Sequence, residues 1–328
     1  MGKYLVTGAT GFLGSHLVRT LAAAGHDVVP FSRGSGGDVL DARLVEAAAR
    51  GCGGAFHCAG KVSRDAADAE DLYRLHVEGT KTVLDACAAA GVARVVVAST
   101  SGTVAVSEAP GRVVSEDEAA PLGIVSRWPY YRAKLFAERA ALDRNRPGFA
   151  VVCVNPSLLL GPGDLRGSST EDVRLFLEKG VWFVPGGGLS FVDARDAAEA
   201  LRLAMDAGRP GERYLVGACN LTVAEFFARL ERVSGVSAPR IPAPRSREAA
   251  RLAARVLRSI ATRVGLPSPV DPETADMASC FFYLDAGKAE RELGWTARDP
   301  NETLYDTVED LRARGAVWPR SSNGRPAV

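Results

Sequence analysis

The chain has 328 residues, of which 47% are apolar and 24% are charged, a composition typical of a globular enzyme. Its 40 basic and 39 acidic side chains leave a net charge of +1, which gives no electrostatic reason to expect nucleic acid as a partner. The four histidines and six cysteines form no HxxxH, HExxH or CxxC pair, so no metal site is predicted.

Hydropathy and cysteine usage predict the compartment. The chain shows no signal peptide and no run of about 18 apolar residues that could cross a bilayer. Its scattered cysteines are typical of small core residues in a reducing environment. We therefore expect a cytoplasmic protein without a transmembrane segment.

Apolar runs alternate with helical periodicity over the first half of the chain. One short strand is expected in the glycine-rich segment between Phe31 and Asp41. Short buried strands separated by helices are typical of a parallel, doubly wound sheet, so the predicted fold class is α/β of the Rossmann type. The other predicted strands cover residues 4–7, 28–31, 54–58, 94–98 and 150–154, and the predicted helices cover residues 12–24, 42–50, 71–90 and 130–144.

The strand–helix alternation weakens after about residue 160, where segments rich in glycine and proline interrupt it. We expect a dinucleotide-binding domain over residues 1–160 and a smaller C-terminal lobe over residues 161–318 that mainly binds substrate. Residues 191–203 of this lobe should pack back on the first domain. Residues 319–328 should form a disordered tail.

A glycine-rich motif, TGATGFLG over residues 7–14, stands at the first junction between strand and helix. Gly8 permits a tight turn, Gly11 lets backbone amides approach a pyrophosphate, and Gly14 allows close contact between helix and strand. The positive end of the helix dipole faces the bound anion. The residues expected to bind the dinucleotide here are Gly8, Thr10, Gly11, Phe12, Leu13 and Gly14.

Two further motifs carry groups suited to proton transfer. Tyr130 and Lys134 lie four residues apart on one helix face, and a cation near a phenol lowers the pKa of that phenol. Tyr131 has Leu135 at the matching position, so Tyr130 is the candidate. The hydroxyl-rich segment from Ser99 follows the strand at 94–98, where a hydroxyl could hydrogen-bond a substrate oxygen. Alternatively, any one of these hydroxyls could hydrogen-bond a backbone group of the loop and have no catalytic role.

These motifs, in this order, resemble the extended short-chain dehydrogenases/reductases of the NAD-dependent epimerase/dehydratase superfamily. The resemblance implies that Ser101 orients a carbonyl, that Tyr130 is the acid, and that Lys134 holds the nicotinamide ribose and lowers the pKa of the tyrosine. The segment VNPSLLLGP over residues 154–162 resembles the dihydroflavonol reductase and 3β-hydroxysteroid dehydrogenase-like branch. Further cofactor contacts implied by the resemblance are Asp38, Val39, Cys58, Ala59, Gly60, Pro156 and Leu158.

The sequence departs from the family pattern at two places. His76 stands where the family usually has asparagine, and it could be a proton relay or a structural histidine. The compressed segment 34–37 leaves less protein around the adenosine than the family normally supplies.

The end of the second strand predicts the cofactor. Dinucleotide folds that bind NAD place an acid there to accept the ribose 2′-hydroxyl, but here Asp27 lies at the strand's start. Ser32 and Arg33 occupy the end instead, and a hydroxyl and a guanidinium suit a 2′-phosphate. We therefore expect NADP(H) to be favoured over NAD(H).

The favoured function is an NADP(H)-dependent reductase or dehydrogenase that acts on a carbonyl/alcohol pair of a hydrophobic small molecule. A sugar-nucleotide epimerase that retains NAD is the alternative with the same fold. A non-catalytic dinucleotide sensor is a third hypothesis, and the presence of Tyr130 with Lys134 argues against it. The resemblance also makes a homodimer a candidate assembly.

The helix predicted around residues 246–264 allows two hypotheses. Arg247, Arg251, Arg255 and Arg258 recur along it at helical steps, opposite apolar residues. We expect an amphipathic helix that covers the substrate pocket. Contact with an anionic membrane or with an acyl-CoA phosphate is the alternative.

Overall fold

Six parallel strands form the central sheet of the computed structural model, which describes residues 2–244, 248–249, 252–256, 259 and 272–317. Neighbouring strands pair in the order β2-β1-β3-β4-β5-β9, and every pairing is parallel. This is a Rossmann-like α/β fold, with the order of strands reversing between β1 and β3. The strands are β1 Lys3–Thr7, β2 Asp27–Phe31, β3 Gly54–His57, β4 Arg94–Ala98, β5 Ala150–Pro156 and β9 Arg213–Val216.

Alternate residues of the inner strands pack in two separate cores, one on each face of the sheet. Val96 and Val152 belong to the core that includes helix α8 (Ala194–Ala207), whereas Val95 and Val151 belong to the core on the other face. Successive side chains of a strand point to opposite faces, so a strand that is buried on both faces needs continuous apolar sequence. The valine run of β4 meets that requirement.

Helices cover both faces of this sheet. Helix α1 packs against α8, and α2 packs against α4. The helices that follow or flank the sheet strands are α1 Phe12–Ala23, α2 Ala42–Ala49, α3 Ala69–Tyr73, α4 Gly79–Ala89, α5 Leu122–Val125, α6 Pro129–Leu142 and α8 Ala194–Ala207. Except over residues 71–90 and in the segment between Phe31 and Asp41, the predicted elements of the first half are confirmed with ends that differ by at most two residues.

Two of the predicted secondary-structure elements were wrong. The predicted helix 71–90 is not continuous, because a π-helical turn over Arg74–Glu78 separates α3 from α4. That wider turn contains His76, whose ring lies 2.8 Å from the carbonyl oxygen of Lys61. The very short strand expected after Phe31 does not form in these residues. Instead, Ser32 caps a 3₁₀ turn over Arg33–Ser35 that ends in the left-handed Gly36.

The chain beyond residue 160 forms smaller sheets and also returns to the central one. Strand β9 completes the central sheet, and α8 contacts α1, β4 and β5. The division at residue 160 therefore stays a prediction, since the central sheet draws on both sides of it. The remaining strands are β6 Leu158–Leu160, β7 Phe183–Val184, β8 Gly188–Asp193, β10 Cys219–Thr222 and β11 Ile241–Pro242, and the remaining helices are α7 Glu171–Leu177, α9 Val223–Ser234, α10 Pro272–Met277, α11 Gly287–Leu293 and α12 Pro300–Ala313.

Much of the predicted basic helix 246–264 and all of the predicted tail 319–328 lie outside the described residues. Within the described ranges, no helix combines the length and the hydropathy that crossing a bilayer requires. The same residues contain no group of three or more histidine, cysteine, aspartate or glutamate side chains placed to hold a metal ion.

Candidate active site

A cleft of about 1670 Å³ opens beside the carboxyl ends of the sheet strands. Single-ligand sites usually occupy about 300–1,000 Å³, so this cleft has room for a dinucleotide and a second molecule. The cleft brings together motifs that are more than a hundred residues apart in the sequence. The predicted site residues that line it are Thr10, Gly11, Phe12, Leu13, Gly14, Arg33, Cys58, Gly60, Ser101, Tyr130, Lys134, Pro156 and Leu158.

The glycine turn between β1 and α1 is packed too closely to accept side chains. Gly8 has a φ of +70°, and a Cβ there would lie 2.6 Å from the backbone nitrogen of Ala59. A Cβ on Gly14 would lie 2.2 Å from the carbonyl oxygen of Gly8. Gly8 and Ala59 therefore lie behind the cleft wall, while Gly11 caps α1 at the wall itself. The free N–H groups of the first turn of α1 suit an anion.

The segment after β2 forms one end of the cleft, and only one predicted residue reaches it. Arg33 is exposed and lines the cleft. Ser32 does not, because its side chain is buried and its hydroxyl lies 3.3 Å from that of Ser35. Asp38 accepts a hydrogen bond from the backbone of the same loop, and Val39 is buried. Ser32, Asp38 and Val39 are thus near the cleft but not in its wall.

Ser101, Tyr130 and Lys134 line the cleft together. Pro129 begins α6, a position that suits its fixed φ, and the helix then places Tyr130 and Lys134 one turn apart. Ser101 begins a 3₁₀ turn just beyond β4. Among the described residues, neither the Ser101 hydroxyl nor the Tyr130 hydroxyl has a protein hydrogen-bond partner. Both groups are therefore available to a ligand.

The electrostatics of the pair differ from the sequence prediction. Burial raises the pKa of Tyr130 above its ordinary value, and the neighbouring Tyr131 raises it further. Lys134 donates a hydrogen bond of 2.7 Å to the carbonyl oxygen of Ala98, and burial lowers the pKa of the lysine to about 8. The prediction that Lys134 lowers the pKa of the phenol is therefore wrong for this chain. Desolvation sets the direction of the shift in the pKa of Tyr130, and the tyrosine keeps its proton at neutral pH.

His76 lies directly against the candidate acid. Its ring meets the Tyr130 ring edge to face at a centroid distance of 5.7 Å. A Cβ on Gly60 would lie 2.7 Å from the imidazole, so the absence of a side chain there admits the histidine. Burial lowers the pKa of His76 to about 3, with Lys134 contributing. The imidazole is therefore neutral at pH 7, and Nε2 carries the hydrogen that it donates to the carbonyl of Lys61.

The cleft has two chemically different parts. We call the part around the glycine turn and Arg33 the dinucleotide end. The lobe end is the wall formed by the described residues from Leu175 onward. This wall contains Leu175, Gly180, Val181, Trp182, Phe183, Pro185, Gly186, Gly188, Leu189, Ser190, Val223, Phe226, Phe227, Pro242, Ala243, Pro244, Ala253, Ala254, Thr274, Ala275, Met277, Ala278, Ser279, Cys280 and Phe282.

An aromatic cluster stands between the two ends. The rings of Trp128 and Tyr131 both pack near Phe282, with centroid distances of 6.1 Å and 5.7 Å. A Cβ on Gly102 would lie 2.1 Å from the Tyr131 ring, so that ring rests on the backbone beside Ser101. The cluster therefore brings apolar surface next to the candidate catalytic hydroxyls.

Several charged residues of the cleft were missed by sequence reasoning. Arg64 forms a bidentate ion pair with Asp172, at 3.0 and 2.7 Å, and both side chains line the cleft. These residues are 108 positions apart, and no sequence signal connects them. Arg19 and Arg166 also line the cleft. Arg19 follows the glycine motif within α1, and its position there was the signal that could have identified it.

Fold and site together define an enzyme that binds a nicotinamide dinucleotide on a Rossmann-like sheet. The chain belongs to the NAD dependent epimerase/dehydratase family, whose model matches residues 4–217. It is therefore a member of a family of NAD(P)-dependent oxidoreductases.

Two curated relatives match almost the whole chain. A putative dihydroflavonol 4-reductase of Synechocystis sp. is 30% identical, with 96% of each chain covered. Sterol demethylase protein B of Methylococcus capsulatus is also 30% identical, with 95% of this chain and 99% of the relative covered. Among solved structures, PA4631, a nucleoside-diphosphate-sugar epimerase from Pseudomonas aeruginosa, is 26% identical over 96% of this chain and 99% of its own, with a TM-score of 0.75.

Proposed function

We propose that this protein is an NADP(H)-dependent reductase or dehydrogenase that acts on a carbonyl/alcohol pair of a hydrophobic small molecule. The observation that carries the proposal is the lobe end of the cleft, where the described lining residues from Leu175 onward are uncharged and mostly apolar. The charged lining residues of residues 161–174, which are Asp164, Arg166, Glu171 and Asp172, lie outside this wall. A sugar nucleotide carries a diphosphate, and a buried anion needs charged or hydrogen-bonding partners. An apolar substrate fits this wall better.

The residues at the dinucleotide end fit the cofactor of the family. The open first turn of α1 supplies backbone donors for a pyrophosphate. The tight contact between Gly14 and Gly8 keeps that turn clear of side chains. When bound, the nicotinamide supplies or accepts the hydride.

The three candidate catalytic residues have separate tasks in this proposal. In reduction, the Ser101 hydroxyl donates a hydrogen bond to the substrate carbonyl oxygen and orients it. Tyr130, which keeps its proton because burial raises its pKa, then donates that proton to the same oxygen as the hydride reaches the carbon. Lys134 has one N–H on the carbonyl of Ala98, which leaves two donors for the nicotinamide ribose.

The preference for NADP(H) rests on Arg33. This guanidinium is exposed in the cleft wall just beyond β2, where a 2′-phosphate would lie. The acid that would select NAD is absent from the end of β2, whose only carboxylate is Asp27 at its start. The Ser32 hydroxyl, predicted to assist, is next to Ser35 instead, so the proposal assigns this role to Arg33 alone.

The names of the two curated relatives agree with the proposal. One is named a putative dihydroflavonol 4-reductase and the other a sterol demethylase protein, and both names refer to fused-ring molecules without a phosphate. The likeness to a sugar-nucleotide epimerase keeps that activity as the competing outcome.

One assay separates the two activities. Purified protein is supplied with NADPH and a panel of aryl and alkyl ketones, and with UDP-sugars in parallel. We expect NADPH oxidation with several ketones, because an apolar pocket separates similar chains by only about 1–3 kcal/mol per methylene. Sugar inversion with tightly held NAD, and no NADPH oxidation with any ketone, would contradict the proposal.

A further inference from the structure

Glu138 is a buried carboxylate to which the proposed reaction gives no task. It is 1% exposed, it lies one helical turn beyond Lys134 in α6, and it does not line the cleft. A buried carboxylate is costly unless hydrogen bonds and opposite charge compensate it. Its partners therefore indicate what the structure gains from it.

One oxygen of this carboxylate collects three donors from two other segments. Oε2 of Glu138 accepts hydrogen bonds from the hydroxyl of Ser99, from the hydroxyl of Thr103 at 3.0 Å and from the amide of Asn155 at 2.6 Å. The other oxygen, Oε1, lies 3.1 Å from the guanidinium of Arg213 on β9. The carboxylate thus joins α6 to the loop after β4, to the end of β5 and to β9.

The donors flank residues of the proposed active site. Ser99 and Thr103 stand two residues before and two residues after Ser101. Asn155 immediately precedes Pro156, which lines the cleft. Charge-assisted hydrogen bonds to a carboxylate are about twice as strong as neutral ones, so these contacts hold the backbone on both sides of the serine.

The same carboxylate also acts on the lysine. Burial lowers the pKa of Lys134, while the negative charge of Glu138 acts in the opposite direction and favours the ammonium form. The other titratable groups that interact with Lys134 are Cys58, Cys153, His57 and His76. Of the described groups that interact with Lys134, Glu138 is the one that carries a carboxylate.

We propose that Glu138 is a positioning residue of the oxidoreductase reaction: its hydrogen bonds to Ser99, Thr103 and Asn155 set the place of Ser101 relative to Tyr130. The inference rests on the proposed function, since it assigns the residue to the same site. It also makes a structural claim, that one carboxylate fixes the loop over residues 99–103 against α6. This claim can be tested without turnover.

The test compares Glu138→Gln with Asp196→Asn. Asp196 is a matched control, because it is a buried carboxylate that accepts several hydrogen bonds from Arg298 and lies outside the cleft wall. In hydrogen exchange followed by mass spectrometry, Glu138→Gln should raise deuterium uptake in peptides over residues 99–105 and 153–158. Asp196→Asn should leave these peptides unchanged. Unchanged uptake in Glu138→Gln overturns the inference whether or not the protein turns over a ketone.

Kinetics give the second readout. Glu138→Gln should lower kcat about ten- to hundredfold, the scale of a misplaced catalytic group, with KM within about threefold. The alkaline limb of the pH profile should move to lower pH, since loss of the carboxylate disfavours the lysine ammonium. Equal kcat values and equal limbs in the variant and the unmutated protein would overturn the inference.

If Glu138→Gln does not fold, Thr103→Val removes one of the donors to the carboxylate. It should raise deuterium uptake in the same peptides and lower kcat, both by less than Glu138→Gln would. An unmutated protein that reduces no ketone contradicts the proposed function. In that case the exchange comparison alone decides whether Glu138 fixes the loop.

Discussion

The two ends of the cleft are built in opposite ways. At the dinucleotide end the glycine turn is held by backbone contacts, since a single added carbon at Gly8 or Gly14 would meet other backbone atoms at 2.6 or 2.2 Å. At the lobe end the wall is side chain, contributed by aliphatic and aromatic residues such as Trp182 and Phe226. The dinucleotide end therefore accepts one ligand shape, whereas the shape of the lobe end can be altered by substitution of single side chains.

The difference teaches where substitutions should matter. Backbone walls cannot yield without moving a strand or helix, so a change there should affect cofactor binding steeply. Side-chain walls can relax, and the free energy of an apolar contact is roughly proportional to its buried area, so a change there should have a smaller effect on binding. The candidate catalytic residues lie where the two ends meet. Substitutions there therefore test whether cofactor and substrate take part in one reaction.

The largest effect is expected at that meeting point. Tyr130→Phe should lower kcat by about 10²–10⁴, the range for a lost general acid, while the Kd of NADPH stays within a few-fold. Tyr131→Phe is the matched control, because it removes a neighbouring phenol hydroxyl from the same cleft wall, and it should cost less than about tenfold. Retention of more than half the activity by Tyr130→Phe would exclude the tyrosine as the acid.

The next effect probes the backbone wall. Gly14→Ala places a Cβ against the carbonyl oxygen of Gly8, so α1 must move away from β1. We expect the Kd of NADPH, measured by fluorescence titration, to rise roughly hundredfold, as for a contact misplaced by about 1 Å. Gly123→Ala is the control, since a Cβ there meets nothing within 4 Å. Equal Kd values for the two variants would remove the distinction between the two ends.

A smaller effect is expected at Arg33, the one side chain beyond β2 on which the proposed cofactor preference depends. Arg33→Ala should weaken NADPH binding about tenfold and leave NADH binding within about twofold, since a charge-assisted contact contributes about 1.5–3 kcal/mol and an exposed guanidinium lies at the lower end of that range. Arg43→Ala, a change on the exposed surface of α2, is the control. An unmutated protein that binds NADH as tightly as NADPH would refute the argument.

Local pattern predicted the elements that repeat a simple rule. The valine run of β4 and the glycine turn at residues 7–14 carry their own structural signal, and both were found where predicted. The π-turn around His76 was not predicted, and the hydrogen bond of His76 goes to the carbonyl of Lys61, fifteen residues away, which no local pattern indicates. A periodic pattern extends through residues 71–90 whether or not the helix widens there.

The candidate site shows the same limit. Spacing along one helix predicted that Tyr130 and Lys134 share a face, but it gave the wrong direction for the pKa of the tyrosine. That pKa depends on burial, and burial is set by elements distant in the sequence. The Arg64–Asp172 pair, which joins residues 108 positions apart, was missed for the same reason. The face that two side chains share on one helix was predictable from their spacing, whereas burial and ion pairs set by distant elements were not.

The smallest effect is expected in the side-chain wall, at Trp182. This side chain lines the lobe end and is 61% exposed, so it contributes only part of its surface to a bound molecule. Trp182→Ala should raise KM for a bulky aryl ketone by about three- to tenfold, equivalent to roughly 1 kcal/mol of lost apolar contact. It should leave kcat and the Kd of NADPH unchanged. Tyr305→Ala removes another exposed aromatic ring, which lies on α12 outside the cleft, and should change neither constant. A loss at Trp182 that is equal for small and bulky ketones would show that this wall does not select by size.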